Sequence, residues 1–160
     1  SERSAALLRI AERIEAEAED FGRLEALNCG KPINAAIGDE IPAIVDCYRF
    51  FAGAVRTLHG PVAGEYMAGH TSMIRRDPVG VVASIAPWNY PLMMMAWKIG
   101  PALATGNSVI VKPAEQTSLT SIRLAELALE AGKDPIQLRL DLLKKAQDNK
   151  AASTLGCSKN

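Results

Sequence analysis

Residues 79–115 read VGVVASIAPWNYPLMMMAWKIGPALATGNSVIVKPAE, and few folds can accept that order of signals. Val79 to Ala86 is dense in Val and Ile, which predicts a strand covered on both faces. Pro87, Asn89 and Pro91 break it. Leu92 to Leu103 has room for about three helical turns, and Gly106-Asn107 stops them. Ser108 to Val111 is a second, β-branched strand that Lys112-Pro113 ends. Strand, helix, strand over this length predicts a βαβ unit, with parallel strands and a right-handed crossover. Ligands of such units lie beyond the carboxyl ends of the strands. Those ends carry Pro87-Trp88-Asn89 and Lys112-Pro113-Ala114-Glu115, so two polar clusters are expected to face one crevice.

The rest of the chain fits an α/β domain. Its 160 residues, 48% of them hydrophobic, suffice for one core. Its 18 basic and 18 acidic residues balance, which gives no pull toward nucleic acid or a membrane surface. No apolar run is long enough to span a bilayer. Three cysteines without framework spacing fit a reducing cytosol.

Leu7, Ile10, Ile14, Ala18, Phe21 and Leu24 recur at helical spacing and predict one helix over Ser4 to Leu27. Glu12, Glu15, Glu17 and Glu19 between them read as its solvated face. Asn28-Cys29-Gly30-Lys31-Pro32 stops it. Asp39 predicts the N-cap of a second helix, with Pro42 in its first turn. That helix is expected to bury Ile41, Ile44, Tyr48, Phe51, Val55 and Leu58 before Gly60-Pro61 ends it. Gly64 to His70 reads as loop and Thr71 to Arg76 as a short strand. Thr117 or Ser118 is expected to cap a helix from Leu119 to Ala131, with Leu119, Ile122, Ala125 and Leu129 inward and Gly132 as its stop. Asp134-Pro135 opens one more helix, and Ala151 to Asn160 is expected to be disordered.

Several residues admit two readings. Asn89 between two prolines is a natural turn residue. Lys112 and Glu115 suit the ribose hydroxyls or phosphate of a dinucleotide, or form an ordinary strand end followed by helix-start acids. The G-x-G-x-x-G fingerprint is missing. Tyr90, Met94 and Trp97 share a helix face at i, i+4 and i+7, and core packing alone accounts for that. Glu40, beside Asp39, is ordinary chemistry for a helix start. Cys29 at a helix exit, Cys47 in the apolar rhythm of a helix and Cys157 in a loose tail read as structural or incidental thiols, whereas catalysis needs a thiolate near a base and an oxyanion donor. His59 and His70 stand alone, so no metal-ligand spacing exists.

The motifs IAPWNYPL, MMAWKIGPALATGN and VIVKPAEQT resemble the aldehyde dehydrogenase superfamily. Upstream, ALNCGKP, DEIPAIVDCYRFFAGA and GEYMAGHTSMIRRDPVGVVASIAPWNYPL resemble its branch that oxidises aminoaldehydes, gamma-aminobutyraldehyde above all. The resemblance runs from about Ser4 to Gly132 and then stops. It implies N-terminal helices plus a partial parallel Rossmann-type βαβα unit over residues 1–132, with an unrelated tail over 133–160. It also implies NAD-dependent oxidation of a small aldehyde to the carboxylate.

Residue by residue, the resemblance makes Asn89 the amide that meets the oxyanion. Loss of one such donor costs about 3 kcal/mol of transition-state stabilisation. It puts Ile85, Pro87, Trp88, Lys112, Pro113, Ala114 and Glu115 on the coenzyme, with Lys112 and Glu115 at the adenosine ribose. A free carboxylate there repels a 2′-phosphate and favours NAD over NADP. Tyr90, Met94 and Trp97 would line the aldehyde channel, and Glu40 would face a substrate amine. Thr71 to Arg76 would belong to an arm that pairs subunits into an oligomer. The family's reactive cysteine, general-base glutamate and Gly-rich pyrophosphate turn come later in its sequence. The chain is therefore expected to be an internal portion, inactive alone and with weak or absent NAD binding. The other expectations are a non-enzymatic interaction piece or a truncated or fused gene product.

Overall fold

The computed structural model describes residues 1–58, 64–72 and 76–130. The helix expected from Asp134-Pro135, the tail from Ala151 and Cys157 lie outside them. Among the described residues six α-helices and four strands run in the order α1 (Glu2–Ala16), α2 (Ala18–Cys29), α3 (Ile33–Ala35), α4 (Ile41–Ala54), β1 (Gly64–Met67), β2 (His70–Ser72), β3 (Val81–Ile85), α5 (Pro91–Ala104), β4 (Ser108–Lys112) and α6 (Leu119–Glu130). The core lies where α1 and α5 pack on α4. Leu7, Ile10, Ile14, Ile44, Tyr48, Leu92, Met95 and Ile99 are buried there, each an i, i+3 or i+4 neighbour on its own helix.

The first expected helix is two. The chain turns at Glu17, whose φ of −107° and ψ of 25° end α1 and open α2. That carboxylate is drawn toward Arg13 at 3.0 Å and Arg123 of α6 at 2.5 Å. Glu15 likewise meets Arg49 of α4 at 2.6 Å, so two of the four glutamates read as a solvated face tie helices together. Gly30, at φ 70°, closes α2 where the stop was expected.

Asp39 caps nothing. The backbone is already helical from Ile33 and widens into a π-helical turn over Ala36–Glu40 before α4. Pro42 has no N–H for the carbonyl four residues back, so the ordinary ladder cannot run through this turn. The extra residue lets Glu40 and Ile41 both face inward. A Cβ on Gly22 would lie 2.3 Å from Ile37 Cγ1, so α2 and this turn touch through a glycine. α4 ends at Ala54 rather than at Gly60-Pro61, which lie outside the described residues, and Leu58 is exposed.

Gly64 to His70 is not a loop. β1 pairs antiparallel with β2, and Gly69 at φ 74° closes the hairpin. β3 and β4 pair in parallel, Val81 opposite Ser108 through Ile85 opposite Lys112, as the βαβ pattern requires. β3 is covered on one face only, contrary to expectation. Ser84 is buried, while Val81 and Ile85 are exposed, because no described element packs on that side.

α6 starts at Leu119 as expected, after Ser118, whose carbonyl accepts the Ile122 N–H at 3.1 Å, and a residue far away in the chain adds to its first turn. The Leu119 N–H donates to Asn28 Oδ1 at 3.0 Å, and Asn28 Nδ2 donates to the Gln116 carbonyl at 3.0 Å. Thr117 Oγ1 is buried without a hydrogen-bond partner. Leu124, Ala125 and Leu127 face inward, while Leu119 is exposed and Ile122 half-buried; the Leu129 side chain is outside the description. Asn28→Ala should lower stability by about 1 kcal/mol, read from urea unfolding, and Asn28→Asp should keep most of it.

Candidate functional site

Parallel pairing brings the ends of β3 and β4 together. Ile85 lies opposite Lys112, and the Ala86 N–H donates to the Lys112 carbonyl at 3.1 Å. The two polar clusters therefore leave the sheet from the same edge. On one side Pro87 is half-buried and Trp88, Asn89 and Tyr90 are exposed. On the other, Pro113 is buried, Ala114 half-buried, and Lys112 and Glu115 exposed. Lys112 Nζ stands 3.8 Å from the Glu115 carboxylate. An open ammonium and carboxylate at that spacing suit a ribose diol, the one donating and the other accepting. The Ile85 carbonyl is taken by Lys98 Nζ, and the Ile85 side chain is exposed.

α5 begins with Pro91 in its first turn and no side-chain cap from Tyr90. It buries Leu92, Met95, Ala96 and Ile99. Tyr90, Met94 and Trp97 lie away from that face, with Tyr90 and Trp97 exposed and Met94 half-buried.

Beneath the Asn89 turn sits a cluster that sequence reasoning missed. Lys31 Nζ donates to both oxygens of Glu40, at 2.9 and 2.8 Å, and to Glu25 Oε1 at 3.4 Å. The Glu25 side chain is 1% exposed and that of Lys31 13%. The same ammonium lies 4.6 Å from the centre of the Tyr90 ring. Glu25 Oε1 also accepts the Leu92 N–H at 3.4 Å. Glu40, expected to face a substrate amine, is instead engaged by Lys31, because the π-helical turn swings it inward. One signal was available: Glu25 falls four residues after Phe21, a charge on an apolar stripe.

Burial pulls the Lys31 pKa down, but the Glu40 hydrogen bond and the charges of Glu25 and Glu40 outweigh it and hold it above the ordinary lysine value. Cys29 lies close to Asn89 in the chain fold, its Sγ 3.7 Å from the Trp88 carbonyl. Burial, then the Glu25 charge, push its pKa up to about 11. Burial does the same to Cys47, also to about 11. Both stay thiols at neutral pH, the wrong form for attack on a carbonyl. Among the described residues no group of His, Cys, Asp and Glu is placed to hold a metal, and no helix is long and apolar enough to cross a membrane.

Two stability predictions follow from these charges. Lys31→Met should cost about 3–5 kcal/mol, since it leaves two buried carboxylates unbalanced; urea titration measures it. The raised thiol values make stability fully present below pH 9.0, the ordinary thiol value, and lost as pH climbs toward about 11. Lys31 acts in the same direction at still higher pH. Replacing Cys47 by Ala should flatten that alkaline loss in melts across pH 8–11.

Known proteins share this arrangement. The pattern described as "Aldehyde dehydrogenase family" matches residues 1–140. The NADP/NAD-dependent aldehyde dehydrogenase PuuC of Escherichia coli K12 is 48% identical over 132 residues, covering 82% of this chain and 26% of PuuC. Aminoacetaldehyde dehydrogenase of Pseudomonas aeruginosa PAO1 is 46% identical over 132 residues, with the same 82% and 26%. The structure of PnpE from Pseudomonas sp. WBC-3, also solved with nicotinamide adenine dinucleotide, superposes with a TM-score of 0.79 at 43% identity, covering 82% of this chain and 27% of PnpE. The chain thus spans about a quarter of the length of these relatives. With the motifs, the parallel unit and these matches in agreement, the chain belongs to the aldehyde dehydrogenase family.

Proposed function

We propose that these residues serve the NAD-dependent oxidation of an aldehyde, an aminoaldehyde in particular, to its carboxylate. The observation that carries the reading is the shared edge at which Asn89 and the Lys112–Glu115 pair leave two parallel strands. Asn89 is exposed and supplies an amide N–H to the oxyanion that develops when a thiolate adds to the carbonyl. Lys112 and Glu115 take the hydroxyls of the adenosine ribose, with Ile85, Pro87, Trp88, Pro113 and Ala114 around them. NAD, when bound, accepts the hydride. Glu115 disfavours a 2′-phosphate by like charge. Tyr90, Met94 and Trp97 border the path of the aldehyde. The name of the aminoacetaldehyde relative supports an amine-bearing substrate. With Glu40 held by Lys31, recognition of the amine falls to other groups.

This stretch supplies the oxyanion donor and one end of the coenzyme site, and the reactive sulfur comes from elsewhere. Cys29 and Cys47 are held as thiols, and the run from Ser84 to Tyr90 holds no glycine to cradle a pyrophosphate. The setting is the cytosol. A second reading, an interaction piece that pairs with a complete subunit through the strand expected over Thr71 to Arg76, is favoured by one observation: Thr71 and Ser72, in β2, are exposed.

The purified 160-residue chain should not turn over gamma-aminobutyraldehyde with NAD. Calorimetry should find NAD binding weak, weaker still for NADP, and reduced by Glu115→Ala. Turnover above that of a chain with its cysteines replaced, or tight binding indifferent to Glu115, would count against the reading. Co-elution with a full-length subunit in size exclusion would favour the second.

A further inference from the structure

The turn that carries Asn89 is held from one side by a single stretch of chain, Glu25 to Lys31. Cys29 Sγ donates to the Trp88 carbonyl at 3.7 Å. Lys31 Nζ lies 4.6 Å from the centre of the Tyr90 ring. Glu25 Oε1 accepts from the Leu92 N–H at 3.4 Å. These contacts fall on both sides of Asn89 in the sequence. α5 has no side-chain cap of its own, so Glu25 supplies from another helix the negative charge that its first N–H groups favour. Glu25 Oε2 is buried without a hydrogen-bond partner, which makes the carboxylate costly to keep unless a cation stands beside it. Lys31 is that cation, and Glu40 fixes where the cation sits. A neutral side chain at this position would set two buried carboxylates against each other and release Tyr90.

We propose that Lys31, clamped by Glu25 and Glu40, is the positioning residue that fixes the Trp88–Leu92 turn and so aims the Asn89 amide. Its bearing on catalysis rests on the reading of Asn89 given above; its bearing on the turn does not.

The test is NMR on the isotope-labelled chain. Lys31→Met should shift or broaden the Asn89 side-chain amide pair and the Trp88 indole signal. Lys31→Arg, which keeps the charge and stacks on an aromatic ring, should restore them. Ile10→Ala serves as the control: it opens a cavity in the core and should lower stability without moving those signals. A folded Lys31→Met chain with the Asn89 pair unmoved overturns the proposal, and so does a shift that Ile10→Ala reproduces. Should Lys31→Met fail to fold, Glu40→Gln carries the same readout, because it removes one of the two acids and leaves a balanced pair. The Asn89 pair should move there too, and its constancy overturns the proposal. Adding NAD separates this from the functional reading: tight binding indifferent to Glu115 counts against that reading and leaves the Lys31 result standing.

Discussion

Parallel pairing of β3 with β4 is the constraint on which the rest of the arrangement depends. Two parallel strands need a crossover, so α5 must return the chain to the start of the sheet. The strands then finish side by side, and whatever follows each of them is delivered to the same edge. Trp88-Asn89-Tyr90 and Lys112 through Glu115 meet for that reason alone. Had the strands been antiparallel, the clusters would stand at opposite ends of the sheet.

Much of this was legible because the signals are local. Val and Ile density, the proline-flanked Asn89 and the Gly106-Asn107 stop set β3, α5 and β4 to within a few residues. Three things were not legible, because none is fixed by its immediate neighbours in sequence. Glu17, where the first helix breaks, pairs with Arg123, 106 residues away. Glu40 reads as a helix-start acid until the π-helical turn rotates it onto Lys31. The outer face of β3 stays open among the described residues despite its apolar composition, since composition reports what a strand can bury and not what packs on it. In the site, spacing placed Tyr90, Met94 and Trp97 on one face, but only tertiary packing reveals Glu25 and Lys31 under the turn.

The buried charges illustrate how a costly arrangement persists. An isolated carboxylate at the depth of Glu25 would protonate or force the fold to rearrange. Here a lysine, a second acid, a helix start and an aromatic ring share the electrostatic load. Such clusters add little net stability over an apolar filling. What they add is direction, because each hydrogen bond tolerates a narrow range of angles where a methyl contact tolerates many.

The amide of Asn28 has a consequence for assembly. It bridges to the start of α6 across 91 residues, so that helix takes its opening turn from a segment made long before it. The neighbouring Thr117 hydroxyl takes no part, being buried without a hydrogen-bond partner. Helix α6 should therefore nucleate late, on a template already docked, which ties its formation to a long-range closure.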